Sequence, residues 1–146
     1  MTRGVAALAL ALGLTGCGGP VEVAAPALAP GPAQTCARLV AALPETVAGQ
    51  SSREVSPTEA AAAAWGDPPI VVRCGVAVPD GMTAQAQLFE VDGLAWYPEE
   101  LPDGYRFTTY DREPRVEVVV PGAYAPEISV VAAVGEAVRA TVPAAG

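Results

Sequence analysis

The stretch that most constrains the fold is AQLFEVDGLAWYP at residues 86–98, where Asp92-Gly93 separates two runs of alternating apolar residues. An Asp-Gly pair in this setting predicts a β-hairpin closed by a two-residue type I′ turn. Because side chains alternate along a strand, this register puts four apolar side chains on one face of the hairpin. The predicted pairs are Val91 with Leu94 and Phe89 with Trp96.

A second hairpin is predicted where YRFTTY and RVEVVV flank residues 111–114. Pairing Tyr110 with Arg115 places Phe107 opposite Val118 on an apolar face and leaves the opposite face polar. One apolar and one polar face are typical of an antiparallel sheet packed on a core along one side. Asp-Gly also occurs at 80–81 and 103–104, a spacing that predicts a β-meander with turns at these positions.

The rest of the chain predicts helices and one central strand. Residues 34–43 have apolar side chains at helical spacing, with Thr35 as the N-cap. Ile70–Val76 is rich in β-branched residues and predicts a buried strand, whereas residues 124–142 predict a second helix. We therefore expect an α+β domain at residues 34–142, with an antiparallel sheet of four to five strands, an N-terminal helix and a C-terminal helix.

The first residues predict export and lipid attachment. Residues 1–16 carry Arg3 before an apolar stretch of about ten residues, too short to span a bilayer but typical of a secretory signal. Leu14-Thr15-Gly16-Cys17 resembles the lipobox of bacterial lipoproteins, in which the cysteine receives a diacylglycerol. Two acyl chains, such as palmitate, make a stable anchor. We expect lipidation of Cys17 and attachment to the outer side of the cytoplasmic membrane; the alternative is an ordinary signal peptide with a chance cysteine.

Residues 17–33 combine the acylated cysteine with a segment rich in Pro, Ala and Gly. Such composition favours extended or coil states, and at roughly 3 Å per residue it would hold the domain up to about 50 Å from the membrane. We therefore predict an extended tether.

Cys36 and Cys74 remain as an even pair, and disulfides persist in exported proteins. We expect a disulfide between them, the alternative being two buried free thiols. Their spacing differs from the C-x-x-C of redox motifs, so a structural bond is favoured.

Charge and composition exclude several functions. The net charge is −8, from sixteen carboxylates against eight arginines, and histidine is absent. An acidic chain repels nucleic acid phosphates and anionic lipid headgroups, so we expect no nucleic acid partner and no charge-driven membrane binding. Without histidine there is no His-based triad and no His-ligated zinc. Nucleotide-binding and hydrolase motifs are also absent from the sequence, and we expect neither cofactor nor metal.

The segment Trp65-Gly66-Asp67-Pro68-Pro69 is a candidate ligand corner, because an aromatic ring and a carboxylate stand beside a rigid turn. The alternative is a structural corner in which Gly66 supplies an unusual backbone angle and Trp65 packs. The alanines before Trp65 are compatible with a helix that this corner would end.

Glu99, Glu100 and Asp103 form a second group of carboxylates beside Trp96 and Tyr97. Glycan hydrolysis needs two converging acids about 5–10 Å apart, but adjacent strand residues point to opposite faces. We expect a solvated acidic loop here.

Three segments resemble the domain-of-unknown-function family DUF3515: WGDPPIVVRCGV at 65–76, VDGLAWYP at 91–98 and DGYRFTTYDR at 103–112. The resemblance covers roughly residues 34–140. It implies an exported, often lipidated actinobacterial protein with paired cysteines, and it implies no reaction.

The functional expectation is a membrane-anchored envelope lipoprotein that acts as a non-catalytic binding or assembly module for an envelope protein partner. Its contact surface is expected on the exposed sheet face near Tyr97, Arg106, Tyr110 and Arg112. One alternative is a small enzyme or carrier acting on cell-wall or lipid material through the Trp65–Asp67 corner and carboxylates, and another is a purely structural envelope component. The sequence leaves the oligomeric state open.

Overall fold

The two predicted hairpins form one half of a larger sheet in the computed structural model, which describes residues 18–146. The predicted signal peptide and Cys17 lie outside the described residues. The strands are β1 Val21–Glu22, β2 Thr46–Val47, β3 Gln50–Arg53, β4 Val55–Ser56, β5 Ala62–Trp65, β6 Ile70–Cys74, β7 Phe89–Val91, β8 Leu94–Leu101, β9 Gly104–Thr109 and β10 Val116–Val120. The helices are α1 Pro30–Ala42 and α2 Ile128–Thr141, with a 3-10 turn at Gly122–Tyr124.

Both hairpin registers are confirmed. Val91 pairs with Leu94 and Phe89 with Trp96 across β7 and β8, and Phe107 pairs with Val118 across β9 and β10. Leu94 and Trp96 are buried, but Phe89 is 55% exposed. Its strand is the last one in the sheet, so its ring has neighbours on one side only.

The expected four to five strands are too few. Eight strands form one antiparallel sheet in the order β2-β3-β5-β6-β10-β9-β8-β7, and β1 pairs with β4 in a separate parallel ribbon. The missed strands are short and either polar, such as QSSR in β3, or made largely of alanine, such as AAAW in β5. Sequences of this kind lack the β-branched and aromatic residues that signal a strand.

The core lies between one face of the sheet, here called the helix face, and both helices. Valines from α2 and from β10 join Leu39 of α1 in one buried cluster, and α1 also contacts α2. Each fully buried Val or Leu side chain contributes about 1.5–3 kcal/mol. The Cys36–Cys74 disulfide ties α1 to β6 within this core.

Helix α1 begins earlier than predicted. It starts at Pro30 with Ala29 as the N-cap, so Thr35 is not the N-cap but a buried residue inside the helix. Proline is well tolerated in a first helical turn, because the N–H groups there have no partner within the helix. A Pro- and Ala-rich segment that indicates coil by composition therefore contains the first turn of a helix.

The predicted extended tether is also partly folded. The Val21 N–H donates to the Glu54 carbonyl at 2.8 Å, and the Arg53 Nη2 donates to the Gly19 carbonyl at 2.8 Å. The chain from Gly19 onward thus lies on the domain, where composition predicted a free segment up to residue 33.

The segment 75–88 crosses the other side of the sheet, here called the loop face. It connects β6 to β7, which are separated by β10, β9 and β8 in the sheet, so it must span four strand spacings, about 19 Å. Because the helices occupy the helix face, this crossing covers part of the loop face. Asp80-Gly81 belongs to this loop instead of a meander turn, whereas Asp103-Gly104 does join β8 to β9.

Candidate functional site

The Trp65–Asp67 corner has the geometry of a structural turn. Trp65 is 1% exposed and its Nε1 donates to the Pro44 carbonyl at 2.9 Å, whereas Asp67 is exposed. Gly66 has φ +73°, and the Arg53 Nη1 donates to its carbonyl at 2.8 Å. A buried indole cannot line an open site, so the structure favours the structural interpretation of this corner.

Cys36 and Cys74 form the expected disulfide, with their Cα atoms 5.5 Å apart. Both residues are fully buried, and their position between helix and sheet is that of a structural bond.

The candidate binding site lies on the loop face, where the pairing of four neighbouring strands brings charged side chains together in one row. Arg73 of β6 pairs with Glu117 of β10, which in turn pairs with Thr108 of β9. Arg106 lies two residues before Thr108 on the same face and pairs with Glu99 of β8. Paired residues share a face and contact each other, so the row Arg73–Glu117–Arg106–Glu99 alternates in charge.

Glu117 organises this row. The Arg73 Nη2 and Nε lie 2.8 and 2.9 Å from the Glu117 Oε1, and the Arg106 Nε lies 3.4 Å from Oε2. The Glu117 side chain is only 7% exposed, whereas that of Arg106 is 35% exposed. A carboxylate that loses water must gain charged partners. Glu117 therefore fixes the Arg73 guanidinium by a hydrogen bond. It also forms an ion pair with Arg106, whose Nε has no hydrogen-bond partner among residues 18–146 and whose side chain keeps access to solvent.

The second carboxylate of the row is more loosely bound. The Arg106 Nη1 lies 3.7 Å from the Glu99 Oε2. Glu99 lies in β8 on the loop face, while Glu100 is exposed and its side chain points away from that face. The expected solvated acidic loop is thus partly correct: Asp103 lies in the exposed turn between β8 and β9, whereas Glu99 and Glu100 lie in β8. Of the three carboxylates, only Glu99 joins the site.

The crossing loop turns this row into a cleft of about 400 Å³, here called the loop-face cleft. Its floor is Arg73, Glu99, Arg106 and Glu117, and its rim is the segment 76–81. Gly81 lies directly against the Tyr97 hydroxyl and leaves no room there for a Cβ atom, while Met82 is buried. The loop is therefore seated on the sheet.

Unused polar groups remain in and beside this cleft. Thr108 is fully buried next to the row, and its Oγ1 has no hydrogen-bond partner among residues 18–146. A guanidinium has five donors, and Glu117 engages only one edge of Arg106. The remaining donors suit a carboxylate or a phosphate group.

The structure shows which residues of the predicted contact surface share a face of the sheet. Tyr97 and Arg106 do share the loop face. Arg112 instead donates from Nη1 to the Val142 carbonyl and forms a bridge with Ala144, so it holds the C-terminal residues in place. Sequence reasoning placed Glu117 on the polar face but missed its partner Arg73, because the pairing of β6 with β10 joins residues 44 positions apart.

A second, apolar groove of about 310 Å³ lies on the helix face beside β7. It is lined by Phe89, Tyr105, Phe107, Pro126, Glu127 and Ile128. The rings of Tyr105 and Phe107 stack with centroids 5.9 Å apart. This groove offers shape and apolar area but almost no polar groups to orient a ligand.

Within residues 18–146, no group of three or more Asp, Glu or Cys side chains is arranged to hold a metal ion. Neither helix of this part of the chain is long and apolar enough to cross a membrane.

Comparison with known proteins finds no match among curated proteins and none among solved structures. The model of one family, described as a protein of unknown function (DUF3515), matches residues 2–146. Since the match covers nearly the whole sequence, the chain belongs to the DUF3515 family.

Proposed function

We propose that this protein is a membrane-anchored envelope lipoprotein, and that it acts as a non-catalytic binding or assembly module which contacts a protein partner through the loop-face cleft. The observation that carries the proposal is the nearly buried Glu117, which lies between Arg73 and Arg106 and forms ion pairs with both in the floor of an open cleft. Placing a nearly buried carboxylate between two guanidinium groups costs its desolvation. The same arrangement fixes Arg73 and leaves the Arg106 donors available to a partner.

The charges of the cleft indicate the chemistry of the partner. The floor has two cations and two anions, and Asp80 adds a carboxylate at the rim. A simple anion would meet Glu99 and Asp80 as well as Arg106. A polypeptide surface that brings both signs of charge matches such a pattern better, because complementary placement of both signs gives specificity.

The anchoring part of the proposal rests on the sequence Leu14-Thr15-Gly16-Cys17. The buried Cys36–Cys74 disulfide supports it, because such bonds persist in oxidising compartments outside the cytoplasm. The enzyme or carrier alternative loses the aromatic part of its candidate site, since Trp65 is buried.

The contact surface is tested by photo-crosslinking in intact cells, with p-benzoylphenylalanine placed at Val78 or at Phe89. These two side chains are equally exposed, at 51% and 55%, but Val78 borders the loop-face cleft and Phe89 the apolar groove. We expect a defined adduct from Val78 that is lost on Arg106→Gln. Arg38→Gln removes the same charge from an exposed position on α1 and should leave the adduct unchanged. An adduct from Phe89 alone would move the contact surface to the apolar groove and refute the proposed site.

The anchor is tested by the intact mass of the membrane-extracted protein. We expect a chain that begins at Cys17 and carries at least a diacylglycerol, and a Cys17→Ser variant that leaves the membrane fraction. An unmodified mass would refute the anchor and leave the cleft proposal standing.

A further inference from the structure

We infer that the folded domain is held directly at the membrane surface. The side of the domain that carries β1, β3 and β4, here called the anchored edge, faces the lipid headgroups. The inference rests on the proposed lipid anchor at Cys17 and adds how the domain stands relative to the bilayer. Its basis is the fixed position of the chain immediately after that cysteine.

Three backbone groups near the start of the described chain are bonded to the β3–β4 segment. The Gly19 carbonyl accepts from the Arg53 Nη2 at 2.8 Å. The Val21 N–H donates to the Glu54 carbonyl at 2.8 Å, and the Val23 N–H donates to the Ser56 carbonyl at 2.9 Å. The Val21 side chain is buried, so apolar packing supports these bonds.

A second fixed point follows before the helix. Leu28 packs against the core and lies so close to Gly75 that a Cβ at that position would collide with it. Two residues later α1 begins, and its Cys36 is bonded to β6. The segment 19–36 is therefore attached to the sheet at both ends and in its middle.

The length of the free connection decides the distance to the membrane. Only one residue separates Cys17 from Gly19, so their Cα atoms can be at most about 7 Å apart. If residues 18–29 were free instead, they would reach about 36 Å at roughly 3 Å per residue. The hydrogen bonds of this segment therefore reduce the maximum distance between the lipidated cysteine and the domain about fivefold, from about 36 Å to about 7 Å.

The short connection, and not electrostatic attraction, must keep this edge at the lipid. Glu22 and Glu54 are exposed on it, and carboxylates are repelled by anionic headgroups. Lengthening the connection should therefore release the edge from the membrane without any change in the domain itself.

The test uses the full lipidated protein in phosphatidylcholine vesicles that contain a lipid with a nitroxide on its headgroup. A fluorophore is attached to Glu54→Cys or, as the matched control, to Glu90→Cys. Both positions are exposed glutamates, and six strand spacings, about 29 Å, separate β3 from β7. The introduced thiol is the only free one, because Cys36 and Cys74 are bonded and Cys17 carries the lipid. We expect quenching at position 54 to be at least about threefold stronger than at position 90, given that separation.

Two further variants test the cause. An insertion of about twelve Gly and Ser residues after Gly18 adds roughly 20 Å of mean reach and should remove the difference between the two labels. Val21→Pro removes the N–H that bonds to Glu54 and should weaken quenching at position 54. Equal quenching at both positions in the lipidated parent protein would overturn the inference. Absence of the lipid mass, with failure to bind vesicles, would instead refute the proposed anchor.

Discussion

The substitution Glu117→Gln tests quantitatively how much the central carboxylate of the proposed site contributes to stability. It keeps the side chain's size and one acceptor oxygen but removes the charge from two contacts with Arg73, the Nε hydrogen bond at 2.9 Å and the Nη2 ion pair at 2.8 Å. A hydrogen bond to a charged group contributes about 1.5–3 kcal/mol and a neutral one about 0.5–1.5. The loss is thus about 1 kcal/mol per bond, or about 2 kcal/mol in total, since the guanidinium of Arg73 remains partly solvated.

Glu99→Gln is the matched control, because it removes the same charge from the same row. Its contact with Arg106 is 3.7 Å long and both side chains are about a third exposed, so the expected cost is below about 1 kcal/mol. The assay is urea unfolding of the Cys17→Ser protein. With an m-value of about 2 kcal/mol/M, Glu117→Gln should lower the midpoint by about 1 M. Equal midpoint shifts for the two variants would show that Glu117 does not hold the arginines, and the proposed site would lose its basis.

Four further variants test the fold around the site. The double variant Cys36→Ala with Cys74→Ala opens a 38-residue loop and should lower the unfolding free energy by at most about 4 kcal/mol, as measured by urea unfolding with and without reductant. Gly104→Ala should lower the unfolding free energy by more than about 3 kcal/mol. The reason is that Gly104 has φ +116° and that a Cβ there would overlap the backbone of the neighbouring strand. Gly93 has φ +77° and open space around it, so Gly93→Ala should lower the unfolding free energy by only about 1 kcal/mol. Equal melting temperatures for the Gly104 and Gly93 variants would contradict the predicted overlap at Gly104. Trp65→Phe should cost about 1–3 kcal/mol, read from thermal unfolding, and should leave the Val78 crosslink intact.

The parts of the fold that the sequence predicts well are those determined by neighbouring residues. Asp92-Gly93 specifies a turn, and the alternation on either side of it allows only one register with an apolar face. The pairing of Phe107 with Val118 follows from the same kind of argument. In the first hairpin the turn and the core require the same register, and in the second the division into an apolar and a polar face selects it.

The parts that were missed depend on distant residues. The alanines of β5 prefer a helix by intrinsic propensity, yet Ala62 and Ala64 are buried in the sheet, because pairing with β6 outweighs that preference. Likewise Val21 forms a strand only because the chain returns to it at Val55. Composition around residues 17–33 indicates coil, and the contacts that order the segment lie more than thirty residues away.

The same dependence applies to the site. Arg73 and Glu117 come from two strands that neither hairpin connects, and they become neighbours only when β10 pairs with β6. The cleft then exists because the segment 75–88 has to cross the loop face to reach β7. No local pattern predicts such a cleft, although the polar face of the second hairpin indicates where to look.

The anchored edge and the cleft together limit where a partner can be. The cleft residues lie on β6, β10, β9 and β8, which are two to five strands from β3 in the sheet, or about 10–24 Å. If β3 and β4 stand at the headgroups, the cleft is held within that distance along the sheet, near the membrane surface. A partner that is itself embedded in or attached to the membrane would meet the cleft without leaving the bilayer. The short connection after Cys17 would then strengthen partner binding as well as position the domain, because it raises the effective concentration of the cleft near a membrane-bound partner.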